Sequence, residues 1–232
     1  VVLVHAGGLD GRMWEPLAER LEDRFTLVIP DLPGHGRSPL PSEPFAFAEQ
    51  VLALLDELDV QRAPFVAASF GGWVTMQLLT AAPGRVSALV LLAGTLDLGE
   101  WSDEMEAFRA EEDALLEAGD VEGAVALGLR TWVRDPAVAD LVADMSRIAF
   151  EAVLAGDVEP LQLPAELGAV AVPTLAVSGG LDLPDFARIA DHVAATVPGA
   201  QRAEVPDAGH LIALERPDAT AALVGPFLSS FS

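Results

Sequence analysis

Pro64-Phe65-Val66-Ala67-Ala68-Ser69-Phe70-Gly71-Gly72-Trp73 is the stretch that decides how this chain is read. An apolar run of strand character ends at Ser69, and a helical pattern starts immediately after it. A serine on so tight a strand-to-helix turn is held in a cramped backbone conformation. That conformation lifts its hydroxyl above the sheet edge and admits only small residues two places before and after it. Ala67 and Gly71 are both small. Taken alone, the same serine serves equally well as a helix N-cap, accepting from backbone N–H groups that a first turn leaves unpaired.

Outward from Ser69, short segments rich in Val and Leu recur at residues 1–4, 25–29, 63–67, 86–92, 172–177 and 201–205, and read as strands. Between the earlier ones lie helical patterns, such as Phe47, Val51, Leu54, Leu55 and Leu58 on one face of a 3.6-residue helix. Continuous apolar strands alternating with helices predict an α/β fold, a mostly parallel, doubly wound sheet with flanking helices and right-handed crossovers. From residue 95 to 168 helical patterns follow one another without a strand, which predicts a helical cap inserted into a core of residues 1–94 and 169–232. One cap helix carries Val121, Val125, Leu129 and Trp132 and is broken at Asp135-Pro136. Trp101, Met105, Phe108, Trp132, Met145 and Phe150 are available to line a pocket under that cap, although such spacing equally serves packing. The chain opens without Met in mid-strand, so residues upstream are expected to be missing.

In an open parallel sheet, functional residues belong on loops that follow the carboxyl ends of strands. Ser69, Asp182 and His210 all satisfy this, each a few residues past an apolar segment, in the chain order Ser, Asp, His. A serine hydroxyl is a weak nucleophile until a base takes its proton, and histidine has the pKa for that task. His210 would accept the proton from Ser69 and return it to the leaving group, while Asp182 fixes the imidazole tautomer. Asp185 on the same loop and Asp97 after the strand at 86–92 compete for the acid's place. Leu183-Pro184-Asp185 reads better as a helix start with Pro near its first position. Of the other histidines, His192 falls inside a helical pattern, and His5 and His35 lie in loops.

Ala67-Ala68-Ser69-Phe70-Gly71 resembles the Gly-x-Ser-x-Gly elbow of the α/β-hydrolase superfamily, serine-nucleophile branch, with Ala at the first small position. Asp31-Leu32-Pro33-Gly34-His35-Gly36-Arg37-Ser38 resembles a structural turn of the same superfamily, as do Ala208-Gly209-His210-Leu211 and Glu215-Arg216-Pro217 its histidine loop and last helix entry. The resemblance spans residues 1–94 and 170–232 and implies the α/β-hydrolase fold with its amino-terminal hairpin absent, which leaves a sheet edge uncovered. It also implies an oxyanion hole built from the amide of Phe70 and that of Gly7, in the turn His5-Ala6-Gly7-Gly8, with Gly8 as the alternative donor. Superfamily members with Asp at the elbow are dehalogenases and epoxide hydrolases, so Ser69 implies instead an acyl-enzyme. The loop from His5 to Trp14 most resembles the esterase and enol-lactonase branch. A small carboxylic ester or lactone is the implied substrate. A carbon–carbon bond hydrolase, a perhydrolase and a non-catalytic binding member remain open on the same residues.

Thirty-six acids oppose thirteen bases, all of them Arg, for a formal charge of −23, which makes nucleic acid an unsuitable partner. Residues 97–166 alone hold 18 acids and four Arg. Such a cap disfavours anionic substrates unless Arg130 or Arg134 faces inward. No apolar run suggests a membrane span or signal peptide, and there is no cysteine, which excludes disulfides and thiolate chemistry. Neither a metal cluster nor a nucleotide-cradling loop is legible, so no cofactor is expected. A cytoplasmic monomer or homodimer is the default expectation.

Overall fold

The computed structural model describes residues 1–156 and 158–231; Asp157 of the expected cap and Ser232 at the core's end lie outside the described residues. Among the described residues five parallel strands lie side by side in chain order. They are β1 (Val2–Val4), β2 (Ala63–Ala68), β3 (Val86–Leu92), β4 (Thr174–Gly179) and β5 (Gln201–Val205). The register runs Val4 beside Ala67, Ala67 beside Leu91, and Leu91 beside Ala176, which brings the carboxyl ends of β1 to β4 to one rim. Successive residues of a strand point to opposite faces. Phe65 and Val66, Leu89 and Val90, and Leu175 and Ala176 are all buried, so both faces of the sheet are covered.

Two of the sequence expectations need correction. Residues 25–29 form no strand but a single bridge, in which Val28 N–H donates to Val1 O (2.8 Å) and Leu3 N–H to Val28 O (2.9 Å). The next donor in a parallel ladder would be residue 30, and Pro30 has no N–H to give. Likewise β4 starts at Thr174 rather than at residue 172, because Pro173 cannot donate, and it continues through Ser178 to Gly179.

On the core, α1 (Glu15–Leu21) packs on α9 (Pro217–Ser229), α2 (Phe47–Glu57) on α3 (Phe70–Ala81), and α7 (Pro184–Thr196) on β4. The short α8 (Ile212–Glu215) precedes α9. Between β3 and β4 come α4 (Asp103–Glu117), α5 (Val121–Trp132) and α6 (Ala139–Ala155), packed in succession. Ser102 caps α4 by accepting from Met105 N–H (3.2 Å), and Asp120 caps α5 by accepting from Gly123 N–H (2.9 Å).

Two buried carboxylates fasten these inserted helices to the sheet loops. Asp185 accepts from the N–H (2.9 Å) and the hydroxyl (2.5 Å) of Ser102. Glu215 accepts from Gly209 N–H and Arg134 N–H, both at 2.6 Å. No helix among the described residues is long and apolar enough to cross a membrane.

Candidate active site

Ser69 stands between the last residue of β2 and the first of α3 with φ +46° and ψ −117°. L-residues rarely hold positive φ, so neighbours must impose it. Ser69 N–H donates to Leu92 O (3.0 Å), and Ser69 O accepts from Gly72 N–H (2.8 Å) and Thr95 N–H (3.1 Å). A Cβ on Gly71 would overlap the carbonyl oxygens of Val4 and His5, which is why that position of the turn is glycine. The Ser69 side chain makes no capping hydrogen bond to α3, so the N-cap reading does not apply. Its hydroxyl instead faces Thr95 Oγ1 at 3.4 Å.

On the neighbouring loops, Nδ1 of His210 lies 2.8 Å from Oδ2 of Asp182, with both side chains nearly sealed from solvent. Asp182 Oδ1 accepts from Leu183 N–H (2.8 Å), which orients the carboxylate. The imidazole is wedged between Trp132 and Phe186, with ring centroids 4.6 and 4.2 Å away. An Nδ1–H donated to Asp182 leaves Nε2 as the ring's acceptor. Of the competing acids, Asp97 is exposed and accepts from Gly99 N–H, whereas Asp185 is occupied by Ser102 and Arg188.

His192 is exposed on α7. His5 is fully buried, with Nδ1 2.8 Å from Ala6 O and Nε2 accepting from Leu32 N–H (2.8 Å). Burial first, and then the nearby His35, push its pKa down to about 4, so it is a neutral structural group.

Ser69 and His210 open onto one cavity of about 330 Å³. Gly7, Gly8 and Phe70 line it too, and the N–H groups of Gly7 and Phe70 have no acceptor among the described residues. Of the six side chains expected to line a pocket, Met105, Phe108, Trp132 and Phe150 do so. Met145 is core, and Trp101 carries the Arg109 guanidinium 4.3 Å above its ring. No hydrogen bond joins Ser69 to His210 among the described residues.

Residues 1–223 match the model of the alpha/beta hydrolase family. The chain belongs to that family. Its sheet is the α/β-hydrolase sheet, and the same architecture recurs in solved members of the family. A hydrolase from Pseudomonas aeruginosa PA01 superposes with a TM-score of 0.79 at 30% identity, over 98% of this chain and 88% of that one. The enol-lactonase from Burkholderia xenovorans LB400 gives 0.81 at 26% identity, over 98% and 90%. Lipase LipV of Mycobacterium tuberculosis is 37% identical over 155 residues, 65% of this chain and 58% of that protein. Other curated relatives are matched over as little as 28% of their own length.

Two cavity residues of this family member went unread in its sequence. Arg130 pairs with Glu111, and Arg134 donates to Leu181 O (3.1 Å), so neither turns inward. The charged residues that α4 contributes to the cavity lining are Arg109 and Glu112. Their signal was the spacing of Met105, Phe108, Arg109 and Glu112, which places all four on one face of α4.

Proposed function

We propose that this chain is a serine hydrolase that cleaves a small carboxylic ester or lactone through an acyl-enzyme, with α4 to α6 acting as a cap over the substrate. The observation that carries the reading is the 2.8 Å contact between His210 and Asp182, on a cavity shared with a serine whose hydroxyl is not used as a helix cap.

In this mechanism Ser69 turns from Thr95 toward Nε2 of His210. Catalytic hydrogen bonds are often long or unmade without substrate and tighten when it binds. His210 takes the hydroxyl proton as Oγ attacks the carbonyl carbon, and the imidazolium is held by Asp182. The amides of Gly7 and Phe70 receive the oxyanion. As the tetrahedral intermediate collapses, His210 gives the proton to the leaving alkoxide, and water reverses the sequence to free the acid. The resemblance to an enol-lactonase and a lipase supports an ester or lactone rather than a carbon–carbon bond as the target.

A panel of short-chain esters and lactones tests this, with the Ser69→Ala and Asp182→Asn variants as controls. Turnover is expected to release acid and alcohol in equal amounts from an ester and the ring-opened hydroxy acid from a lactone. It should fall by about 10⁴ or more in both variants, as triad members act as a unit. Turnover that survives Ser69→Ala would overturn the reading. Ketone cleavage in the absence of ester cleavage would transfer the triad to carbon–carbon chemistry.

A further inference from the structure

The polar lining of the cavity divides between two walls. Ser69, Thr95 and His210 belong to the sheet loops, whereas Arg109, Glu112 and Ser146 come from the inserted helices. Glu112 is the one acid of α4 among the described residues that line this cavity, whereas its neighbours Glu111 and Asp113 are exposed. On the outer side of the same helix Glu111 is paired with Arg130, and on α5 Glu122 is paired with Arg147. The Glu112 carboxyl has no hydrogen bond and no ion pair among the described residues. Arg109, one turn earlier, rests its guanidinium on Trp101, which is not part of the cavity wall, and no ion pair joins it to Glu112.

The cavity residues contributed by α5 and α6 are uncharged, among them Gly128, Trp132, Ser146 and Phe150. The charge that acts on Glu112 is that of its neighbour Asp113, while Arg109 and, on the sheet wall, His210 are the other charged or titratable residues lining the same cavity. Burial, with Asp113 adding, pushes the Glu112 carboxyl up to about 7. Carrying an unpaired carboxyl inside an otherwise largely apolar chamber costs the fold stability, which is the mark of a group kept for a ligand.

We propose that Glu112 is a specificity-determining residue that accepts a hydrogen bond from a donor on the substrate, a hydroxyl, amide N–H or ammonium, placed away from the scissile carbonyl. The inference rests on the serine-hydrolase reading for the position of that carbonyl. It adds the chemistry of the substrate's far end: polar and donating, not purely aliphatic and not anionic. An ammonium and a neutral hydroxyl are two sources of the same donor chemistry, and they separate by experiment, because Gln still accepts from a hydroxyl but no longer carries charge.

The probes are p-nitrophenyl esters of 6-aminohexanoic, 6-hydroxyhexanoic, heptanoic and adipic acid, with 5-aminopentyl, 5-hydroxypentyl and hexyl butyrate covering the alcohol side. In the wild type, kcat/KM for a donor-bearing ester is expected to exceed that for its methyl-ended counterpart by about tenfold in at least one series, and the adipate ester to be the poorest. Glu112→Leu should bring the ratio near one. Glu112→Gln should abolish an ammonium preference and keep a hydroxyl preference. Glu111→Gln, which removes the same charge from the outer face, should keep the wild-type ratio.

Binding of the same esters to the Ser69→Ala protein by calorimetry gives the ratio independently of turnover. If plain esters are turned over by Ser69 while all ratios stay equal in wild type and Glu112→Leu, this inference falls and the hydrolase reading stands. If nothing is turned over but the calorimetric ratio behaves as stated, the reverse holds. A wild-type preference for the adipate ester would also overturn the inference.

Discussion

Replacing Glu112 by Gln should stabilise the protein, and by an amount that depends on pH. The ordinary midpoint of the side chain is 4.5, and in the folded protein burial moves it to about 7. A raised acid midpoint means that the folded state holds the proton more tightly than the unfolded chain. Between those two values the unfolded chain releases a proton that the folded one keeps, so stability falls as pH rises. Below about pH 4 both states are protonated and the cost vanishes; above about pH 8 both are ionised and the cost is complete.

At ~1.36 kcal/mol for each pH unit, the ceiling is about 3 kcal/mol, and partial access to cavity water brings the expected cost to roughly 1–2 kcal/mol. Gln keeps the shape and cannot ionise, so the difference between the two proteins isolates this one group. Urea denaturation at pH 4.5, 6, 7 and 8 measures it. Glu112→Gln should nearly match the wild type at pH 4.5 and exceed it at pH 8, with the gain growing steadily between about pH 4.5 and 7 and levelling off above that. A difference that is flat with pH, or a variant less stable at pH 8, would refute the reasoning.

Three further outcomes follow from other buried groups. Glu215→Ala leaves the Gly209 and Arg134 amides without their acceptor, at about 1–3 kcal/mol for each buried donor. It should lower kcat more than it raises KM, whereas Glu215→Gln should restore part of the rate, as steady-state kinetics will show. Gly71→Ala forces a methyl group into the Val4 and His5 carbonyl oxygens, so the variant should lose several kcal/mol or fail to fold, read by circular dichroism. His5, whose folded midpoint is depressed to about 4, adds stability that is present above pH 6.5 and is lost as pH falls through about 4. Acid titration of the wild type should show that loss, and His5→Gln should flatten it.

How much of this was legible in the sequence varies with how local the cause is. The elbow was readable because an apolar run, small neighbours and a following helix all lie within ten residues of Ser69. Residues 25–29 misled because their composition suits a strand, whereas pairing depends on one absent donor at Pro30, a matter of ladder geometry rather than hydrophobicity. Asp182 could be favoured over Asp185 because Pro184 marks a helix start, and Asp185 indeed sits at the head of α7 with Ser102 against it. Glu112 could not be read as a cavity residue. Periodicity tells which residues of α4 share a face but not what that face meets, which depends on how three helices settle over the sheet. The double duty of Glu215 was hidden for the same reason, since its partners Gly209 and Arg134 come from segments far apart in the chain.

The central claim is that Ser69 is the nucleophile and that His210 activates it. Its most direct test is the site and rate of reaction with a p-nitrophenyl alkylphosphonate, mapped by peptide mass spectrometry. The account predicts a single adduct on Ser69, absent from Ser69→Ala and formed at least about 10³-fold more slowly in His210→Ala. An adduct on another residue, or labelling of Ser69 that is indifferent to the loss of His210, would contradict it.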